Sequence, residues 1–392
     1  MTTFYVDGAN LSTDHADLEL FGSVLAYADP LIRSVDWDPQ TKQYVIACEG
    51  SADQFHELIA SLKSKLSNGV KPKRTPAPLF VHDPAESCSP QDTWRYLTTS
   101  GQARELARGL VAYRGFFFEL VQGLDDLIVG FALRKYRAQP FHFPSLVPLG
   151  DVIRCGTLDH IPHHLYFGSV PIAGIDQIQE LQAKAAAGED FHGHLENADC
   201  CLKPSACLPL YPTLEKCDFD RDAFFTMRGT CSRNESKRAT GFERLNEFQM
   251  REIVCIGDEQ ACHEFGATAV TLFRDLIVRF DLPATVEQAS DSFFISNQRQ
   301  WRMSQLLGGD KLELRASIAE SNEQVAVASL NQHRFFFSHR YGFTKCHKAA
   351  SSACLGFGLE RLAFAIFSRH ASCESAIREL LEKARHEILD LE

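Results

Sequence analysis

The densest group of reactive side chains in this sequence lies between residues 228 and 252. Residues 228–235 read Arg-Gly-Thr-Cys-Ser-Arg-Asn-Glu, and further arginines precede Phe248 and Glu252. The pattern predicts two strands joined by a polar loop that carries cations at its tip. Guanidinium groups hold phosphate oxygens through paired hydrogen bonds, and an aromatic ring offers a stacking face for a purine. A surface hairpin with Glu–Arg pairs fits the same composition, so residue types alone leave both interpretations open.

Three segments of the chain resemble the three motifs of class II aminoacyl-tRNA synthetases. The Arg-x-Glu at residues 233–235, the arginine-rich loop, and Phe248 with Glu252 four residues later resemble motif 2 in its seryl-type form. Residues 141–148, which follow a predicted helix, resemble motif 1, and residues 356–361 (Gly-Phe-Gly-Leu-Glu-Arg) resemble motif 3. The motifs occur in the expected order, and the resemblance covers residues 95–375.

The resemblance implies a role for five residues in binding ATP. Arg233 would hold the α-phosphate and carboxylate region of an aminoacyl-adenylate, and Arg244 would reach the terminal phosphates. Glu235 would meet the adenine amino group, Phe248 would stack under the adenine, and Arg361 would cover its other face and touch the γ-phosphate. Attack of a carboxylate on the α-phosphate concentrates negative charge, which preorganised cations stabilise.

A further resemblance concerns a possible metal site. Cys207, Glu252 and Cys354 resemble the zinc ligands of the atypical, methanogen-type seryl-tRNA synthetases and of their truncated relatives, the amino acid:carrier-protein ligases. Three protein ligands would hold one Zn²⁺ per subunit and leave a coordination position for the substrate's amino group. Taken singly, each cysteine is more often a small buried hydrophobe. Cys200 and Cys201 are the nearest alternatives to Cys207 as a ligand, and Cys346 is the nearest alternative to Cys354.

The region between motifs 2 and 3 resembles the carrier-protein ligases. Residues 291–294 and 303–305 are similar to stretches of that family. The resemblance makes Lys311, Ser329 and Asn331 candidate substrate-pocket residues of this chain, and a structural role is the alternative for each. Class II enzymes usually place a Mg²⁺-binding acid shortly before the Ser-x-Asn segment. No acid is in register within residues 323–328, so Mg²⁺ is expected with ATP but its protein ligand is unassigned.

The elements that position these residues are predicted in two parts. Residues 1–75 read as a small α/β unit, with a hairpin over residues 34–47 and a helix from Ser51 to residue 66. A proline-rich basic stretch leads into a linker over residues 76–94. Residues 95–392 read as a class II synthetase-like catalytic domain of the α+β class, an antiparallel sheet flanked by helices. Its predicted elements include a helix over residues 117–136 and strand-like runs at residues 268–273 and 324–329.

Composition and net charge limit the kinds of partner that the sequence predicts. The chain has 392 residues, a net charge of −11 and 13 cysteines, with no run apolar enough to span a membrane and no signal-peptide pattern. Reduced thiols and a cytoplasmic location are therefore expected. The acidic balance disfavours a protein held to nucleic acid by overall charge. Motif 1 builds the dimer interface in class II enzymes, so the resemblance also implies a homodimer.

Three functions share this catalytic core. The favoured one is ATP-dependent activation of a small amino acid (Gly, Ala or Ser) and its transfer to the phosphopantetheine thiol of an acyl or peptidyl carrier protein. A zinc-dependent seryl-tRNA synthetase is the first alternative, but residues 1–75 look small for a tRNA-binding domain. The second alternative is an inactive paralogue that acts as a binding subunit, which the intact motif residues disfavour. The role of residues 1–75 is left unassigned.

Overall fold

A computed structural model describes most of the chain, and all statements below concern its described residues. These are residues 1–8, 21, 25, 29, 31–38, 41–67, 77–84, 92–235, 241–289, 310–318, 323–370 and 373–389. Within them, none of the helices has the length and apolar character needed to cross a bilayer.

The described residues form strands in both parts of the chain. Their bounds are β1 (Thr2–Asp7), β2 (Ile32–Asp38), β3 (Gln43–Cys48), β4 (Phe80–His82), β5 (Ala103–Ala107), β6 (Leu110–Tyr113), β7 (Gln139–Phe141), β8 (Leu146–Pro148), β9 (Tyr166–Pro171), β10 (Leu195–Leu202), β11 (Asp218–Phe219), β12 (Ala223–Ser232), β13 (Glu247–Gly257), β14 (Ala284–Gln288), β15 (Lys311–Ile318), β16 (Glu323–Arg334), β17 (Thr344–Lys345), β18 (Lys348–Ala349) and β19 (Ser351–Gly358).

The helices lie mainly in the second part of the chain. Their bounds are α1 (Ala52–Ser67), α2 (Thr93–Thr99), α3 (Gly115–Tyr136), α4 (Leu149–Arg154), α5 (Thr157–His160), α6 (Ile175–Ala187), α7 (Leu210–Thr213), α8 (Glu259–Arg279), α9 (Phe336–Tyr341), α10 (Leu359–Arg369) and α11 (Glu374–Leu389). Two 3₁₀ turns are Pro162–His164 and His192–His194.

The first strands and α1 form a small α/β unit with a core of its own. Its antiparallel sheet has the order β1-β3-β2, and Ile32, Tyr44 and Phe55 are among the residues buried in it. The helix begins as the sequence predicts, because Ser51 and Gln54 exchange side-chain-to-backbone hydrogen bonds of 2.9 and 3.3 Å. This reciprocal pair is a capping box, which satisfies backbone groups that the first helical turn leaves without a partner.

An eight-stranded sheet is the centre of the second part, in the order β4-β14-β15-β16-β19-β13-β12-β7. All neighbouring strands are antiparallel except β7 and β12. The α+β class predicted from the sequence is therefore confirmed. Strand β4 falls inside residues 76–94, the predicted linker, and pairs with β14 at the edge of the sheet.

One face of the sheet is covered by α3, α8 and α10, which share a large apolar core with the strands. The strand prediction for residues 268–273 is wrong, because these residues lie in α8. Their β-branched residues favour a strand locally. However, the buried residues of α8 recur at helical spacing through Phe265, Ala269, Leu272 and Leu276, and this longer period decides the structure.

The opposite face carries a second core, which Val254, Cys354 and Tyr211 help to build. A smaller sheet of order β8-β10-β9 and the loop after β10 lie on this side. Helix α3 is followed by strand β7, which is the order predicted for motif 1. Strand β7 runs parallel to β12 at the edge of the sheet. Motifs 2 and 3 are the β12–β13 hairpin and the β19–α10 junction, and they are neighbours because β13 pairs with β19.

Candidate active site

Cys207, Glu252 and Cys354 come together on the second face of the sheet. Glu252 and Cys354 lie in the middle of the paired strands β13 and β19, and Cys207 follows β10 in the loop before α7. Their potential ligand atoms all lie within 4.8 Å of one another, and all three residues are buried. No other group of three or more such side chains in the described residues could hold a metal ion. The sequence alternatives Cys200, Cys201 and Cys346 are therefore not part of this cluster.

The electrostatics of the cluster suit a bound cation. Burial raises the pKa of the Glu252 carboxyl, although the Cys207 backbone N–H donates a hydrogen bond to it. The pKa of the Cys354 thiol is held well above its usual range, by its interaction with the Cys207 thiol and by burial. Three weakly acidic groups are thus concentrated where water is excluded. A divalent cation would stabilise their ionised forms, and two thiolates with one carboxylate are a donor set that zinc accepts.

The candidate pocket residues lie in register with this cluster. Asn331 on β16 is the direct partner of Cys354, and Ser329 is the partner of Gly356. On the other side, Lys311 of β15 is the partner of Asn331. Directly opposed residues of antiparallel strands project from the same face. The three predicted residues therefore share a face with the metal cluster, and the Asn331 amide donates to the Ser329 hydroxyl at 3.3 Å.

An acidic residue that the sequence reasoning missed lies next to them. Glu313 is the strand partner of Ser329, and its carboxylate pairs with the Lys311 ammonium and the Arg315 guanidinium, each at 3.0 Å. The motif resemblance does not point to Glu313, because this residue lies on β15. Class II enzymes usually place their Mg²⁺-binding acid shortly before the Ser-x-Asn segment, which is on β16. Lys311 is held by this ion pair.

The predicted ATP residues of motif 2 occupy the end of the β12–β13 hairpin. The Arg233 guanidinium lies over the Phe248 ring at 5.4 Å and donates a hydrogen bond of 2.9 Å to the Pro204 carbonyl. Arg244 lies 3.6 Å from a Glu235 oxygen, so the structure brings it to the carboxylate expected to meet adenine. Residues 236–240, which include the loop arginine Arg238, lie outside the described residues, as do residues 291–294 and 303–305.

Arg361 enters from motif 3. It lies in the first turn of α10, three residues after Gly358, which pairs with Met250 of β13. Its guanidinium donates a hydrogen bond of 2.9 Å to the Ala326 carbonyl. The hairpin pairing and the motif 3 strand therefore direct Arg361 and the motif 2 residues to the same end of the sheet.

Several supporting residues carried no motif signal. The Asn246 side chain accepts a hydrogen bond from the Glu235 backbone N–H at 2.8 Å, which fixes the chain at that residue. The buried Lys203 donates bonds of 3.0 Å to the Phe143 and Pro144 carbonyls, and so ties the loop before Cys207 to the motif 1 segment. The sequence does not single out Lys203, because most lysines are exposed and its burial is known only from the structure.

A polar network lies beneath motif 2 on the helical face. Asp125 of α3 receives both Arg251, through bonds of 2.6 and 2.9 Å, and Arg228 at 3.2 Å. The Glu360 carboxylate of motif 3 accepts the Gln249 backbone N–H at 2.9 Å and the Tyr113 hydroxyl at 3.0 Å. Burial raises the pKa of Glu360 to about 7.

Comparison with known proteins gives two related groups. The chain is 30% identical over 261 residues to amino acid–[acyl-carrier-protein] ligase 2 of Bradyrhizobium diazoefficiens, which covers 64% of this chain and 77% of that protein. It is 27% identical over 268 residues to the type-2 serine–tRNA ligase of Methanocaldococcus jannaschii, covering 65% of this chain and 51% of that protein. No protein-family model matches the chain.

Among solved structures, the fold is similar to the SerRS of M. kandleri in its complex with A. aeolicus tRNASec. The TM-score is 0.68 at 18% sequence identity, over 97% of this chain and 77% of that chain. The fold is therefore that of the class II seryl-tRNA synthetases, as the sequence motifs predict.

Proposed function

The chain belongs to the amino acid–[acyl-carrier-protein] ligase family, and from this premise we propose that it activates glycine, alanine or serine with ATP and passes it to the phosphopantetheine thiol of a carrier protein. Family membership makes it a ligase that activates amino acids. The observation that carries the more specific proposal is the buried Cys207–Glu252–Cys354 cluster, which shares a sheet face and a strand register with Lys311, Ser329 and Asn331.

The first half-reaction forms the adenylate. A carboxylate oxygen of the amino acid attacks the α-phosphorus of ATP, the bond to the bridging oxygen breaks, and pyrophosphate leaves. Arg233 would hold the α-phosphate. Phe248, whose ring lies under the Arg233 guanidinium, would stack on adenine. Arg361 would cover the other adenine face. Fixed cations stabilise the charge that develops on phosphorus, and Mg²⁺ would accompany the ATP.

The amino group of the substrate would be held at the metal cluster. When bound there, Zn²⁺ would supply a Lewis-acid position for an unprotonated amine. Cys207, Glu252 and Cys354 would be its ligands, and the neighbouring Asn331 and Ser329 would bound the space for the side chain. A pocket of this kind favours small amino acids, although one methyl group changes binding by only about 1–3 kcal/mol.

In the second half-reaction, the acceptor thiol attacks the adenylate carbonyl carbon, the bond to the phosphate oxygen breaks, and AMP leaves as the thiol proton is released. The choice of a carrier protein is supported by coverage. The match extends over 77% of the carrier-protein ligase but only 51% of the M. jannaschii serine–tRNA ligase. The latter therefore has a large part with no counterpart in the aligned region.

Seryl-tRNA charging is the second candidate function, and one observation favours it. The structural match to the M. kandleri SerRS covers 97% of this chain, which includes most of residues 1–67. The N-terminal unit thus has a structural counterpart in a protein whose complex contains tRNA, although a likeness at 18% identity concerns the fold alone.

Two assays test the proposal. Amino-acid-dependent exchange between ATP and pyrophosphate, run with a panel of amino acids, should be highest with glycine, alanine or serine. Radiolabelled amino acid should then pass to a holo-carrier protein and not to the apo form, which lacks the thiol. Arg233→Ala should abolish exchange, whereas Arg104→Ala, an exposed change on β5, should not. Charging of tRNA without labelling of the carrier would favour the second candidate, and absence of exchange with every amino acid would favour an inactive paralogue.

A further inference from the structure

A turn outside the three motifs faces the adenine-reading carboxylate. The 3₁₀ turn Pro162–His164 lies between motifs 1 and 2 in sequence. The His164 carbonyl accepts a hydrogen bond of 2.9 Å from the Asn234 backbone N–H. The Nδ1 atom of the His164 ring lies 3.7 Å from a Glu235 carboxylate oxygen. The two side chains are only 16% and 15% exposed, so water screens the interaction between them only weakly.

We propose that His164 is a positioning residue that orients the Glu235 carboxylate toward the 6-amino group of adenine. The inference rests on the proposed function, since it requires that the site bind ATP. It adds a residue, and a segment of the chain, that the motif resemblance does not assign to nucleotide recognition.

The geometry around Glu235 favours an orienting role. His164 lies beside one carboxylate oxygen, and Arg244 lies 3.6 Å from the other. The backbone at Glu235 is fixed separately, because its N–H donates to the Asn246 side chain. A carboxylate with a fixed backbone and a basic group at each oxygen has few orientations, so its lone pairs can be directed to one donor position.

The neighbours of His164 restrict its own movement. The rings of His163 and His164 lie 4.2 Å apart. Burial and the adjacent His164 lower the pKa of His163 to about 4, so His163 is neutral near pH 7. Tyr166, at the start of β9, also lies close enough to Glu235 for its pKa to be raised, mainly by burial and further by that carboxylate. His164 thus packs against a neutral ring and also lies near the carboxylate that it orients.

This arrangement predicts discrimination between purines. The 6-amino group of adenine donates a hydrogen bond to a carboxylate, whereas the 6-oxo group of hypoxanthine presents an acceptor to it. A site built to pair with a donor rejects an analogue that lacks it, because the buried carboxylate is then left without its partner. Loss of the orienting residue should therefore reduce the preference for ATP over ITP, and should leave the amino-acid site unaffected.

The test compares ATP and ITP in the exchange reaction of the full chain. His164→Ala should lower the ratio of the two kcat/KM values by about tenfold, mainly through a higher KM for ATP, with the KM for the amino acid unchanged. His164→Asn, which keeps a donor of similar reach, should recover part of the ratio. The matched control is His192→Ala, an exposed histidine in the other 3₁₀ turn, which should change neither value.

Two outcomes would overturn the inference. If His164→Ala and His164→Asn lower activity with ATP and ITP equally, His164 only supports the fold. If both variants keep the wild-type ratio, it has no role in reading the base. Calorimetric binding of ATP and of ITP to the same variants separates this result from the proposed function. Wild-type protein that binds ATP in preference to ITP but exchanges no amino acid contradicts the function and still tests His164, whereas no ATP binding contradicts both.

Discussion

Cys354 on β19 lies directly opposite Asn331 on β16. This pairing connects two groups of residues that the sequence suggests for different tasks, a metal ligand and a wall of the substrate pocket. Since Lys311 is in turn the partner of Asn331, three adjacent strands contribute one row of side chains to the same face. The amino acid that we propose binds at Cys354 would therefore have Asn331 and Lys311 on the same face of the sheet.

The metal cluster gives the first prediction. Cys354→Ser should lower zinc affinity by more than about 100-fold, because replacing a ligand costs more than the 10- to 100-fold typical of changing its neighbours. Exchange activity should be lost with the metal. Metal analysis of purified protein measures the stoichiometry, and Cys346→Ser, an exposed cysteine outside the cluster, should keep both properties. Wild-type protein without stoichiometric zinc would contradict the assignment.

A pH dependence of stability follows from Glu360. Its folded pKa of about 7 exceeds the usual 4.5, chiefly because it is buried. Below pH 4.5 the group is protonated in both states. Between pH 4.5 and about 7 the unfolded chain releases its proton while the folded protein retains it, so the free energy of unfolding falls as pH rises, by about 3 kcal/mol in total, and then levels off.

Urea unfolding across about pH 4–8 measures this change. Glu360→Gln cannot ionise and should lose this part of the decline, so the two curves should converge below about pH 4.5, separate progressively above it, and stay apart above about pH 7. Parallel curves at all pH values would show that Glu360 has an ordinary pKa in the folded protein.

Gly229 gives a prediction about packing. A Cβ on Gly229 would lie 2.6 Å from the Lys203 Nζ, which is buried and donates to two carbonyls. Gly229→Ala should therefore displace the ammonium and cost about 1–3 kcal/mol of the free energy of unfolding. Gly150→Ala is the matched control, because nothing lies within 4 Å of its added Cβ. Equal stability of the two variants would show that Lys203 can move aside freely.

The Asp125–Arg251 pair beneath motif 2 should be important for stability. Asp125→Asn leaves a buried guanidinium without its counter-charge, and breaking such a pair costs about 3–5 kcal/mol. The adjacent Asp126→Asn removes an exposed carboxylate that lies 3.4 Å from Arg385, and it should cost less than about 1 kcal/mol. Denaturant unfolding compares them, and similar losses would indicate that burial of Asp125 is unimportant.

The motif 1 helix gives a prediction about assembly. If α3 and the edge strand β7 build a dimer interface, the protein should sediment at about twice its chain mass of 43.9 kDa at micromolar concentration. Leu133, which is 43% exposed near the end of α3, should contribute apolar area, so Leu133→Glu should shift the equilibrium toward monomer. Sedimentation of the wild-type protein as a monomer would contradict the proposed homodimer.

The motif residues and most of the elements that carry them can be predicted from the sequence. The paired strands β12 and β13 form a hairpin, so their closeness in the chain already places Arg233 and Phe248 at the same end of it, although their contact depends on the register. Helix α1 and its start at Ser51 were likewise predictable, because helical spacing and capping depend on neighbours three or four residues apart. At residues 268–273 the local β-branched residues predict a strand. The helical spacing of the longer segment is also present in the sequence, and the structure follows it.

Which distant residues share the site follows only from the way the strands and loops pack in three dimensions. The register of β16, β19 and β13 brings Asn331, Cys354 and Glu252 together, and no local pattern encodes a register between strands so far apart in the chain. His164 and Lys203 reach the site only through packing of the segment between motifs 1 and 2. Local spacing therefore identified the residues that carry the chemistry, whereas burial and strand pairing determined what holds them in place.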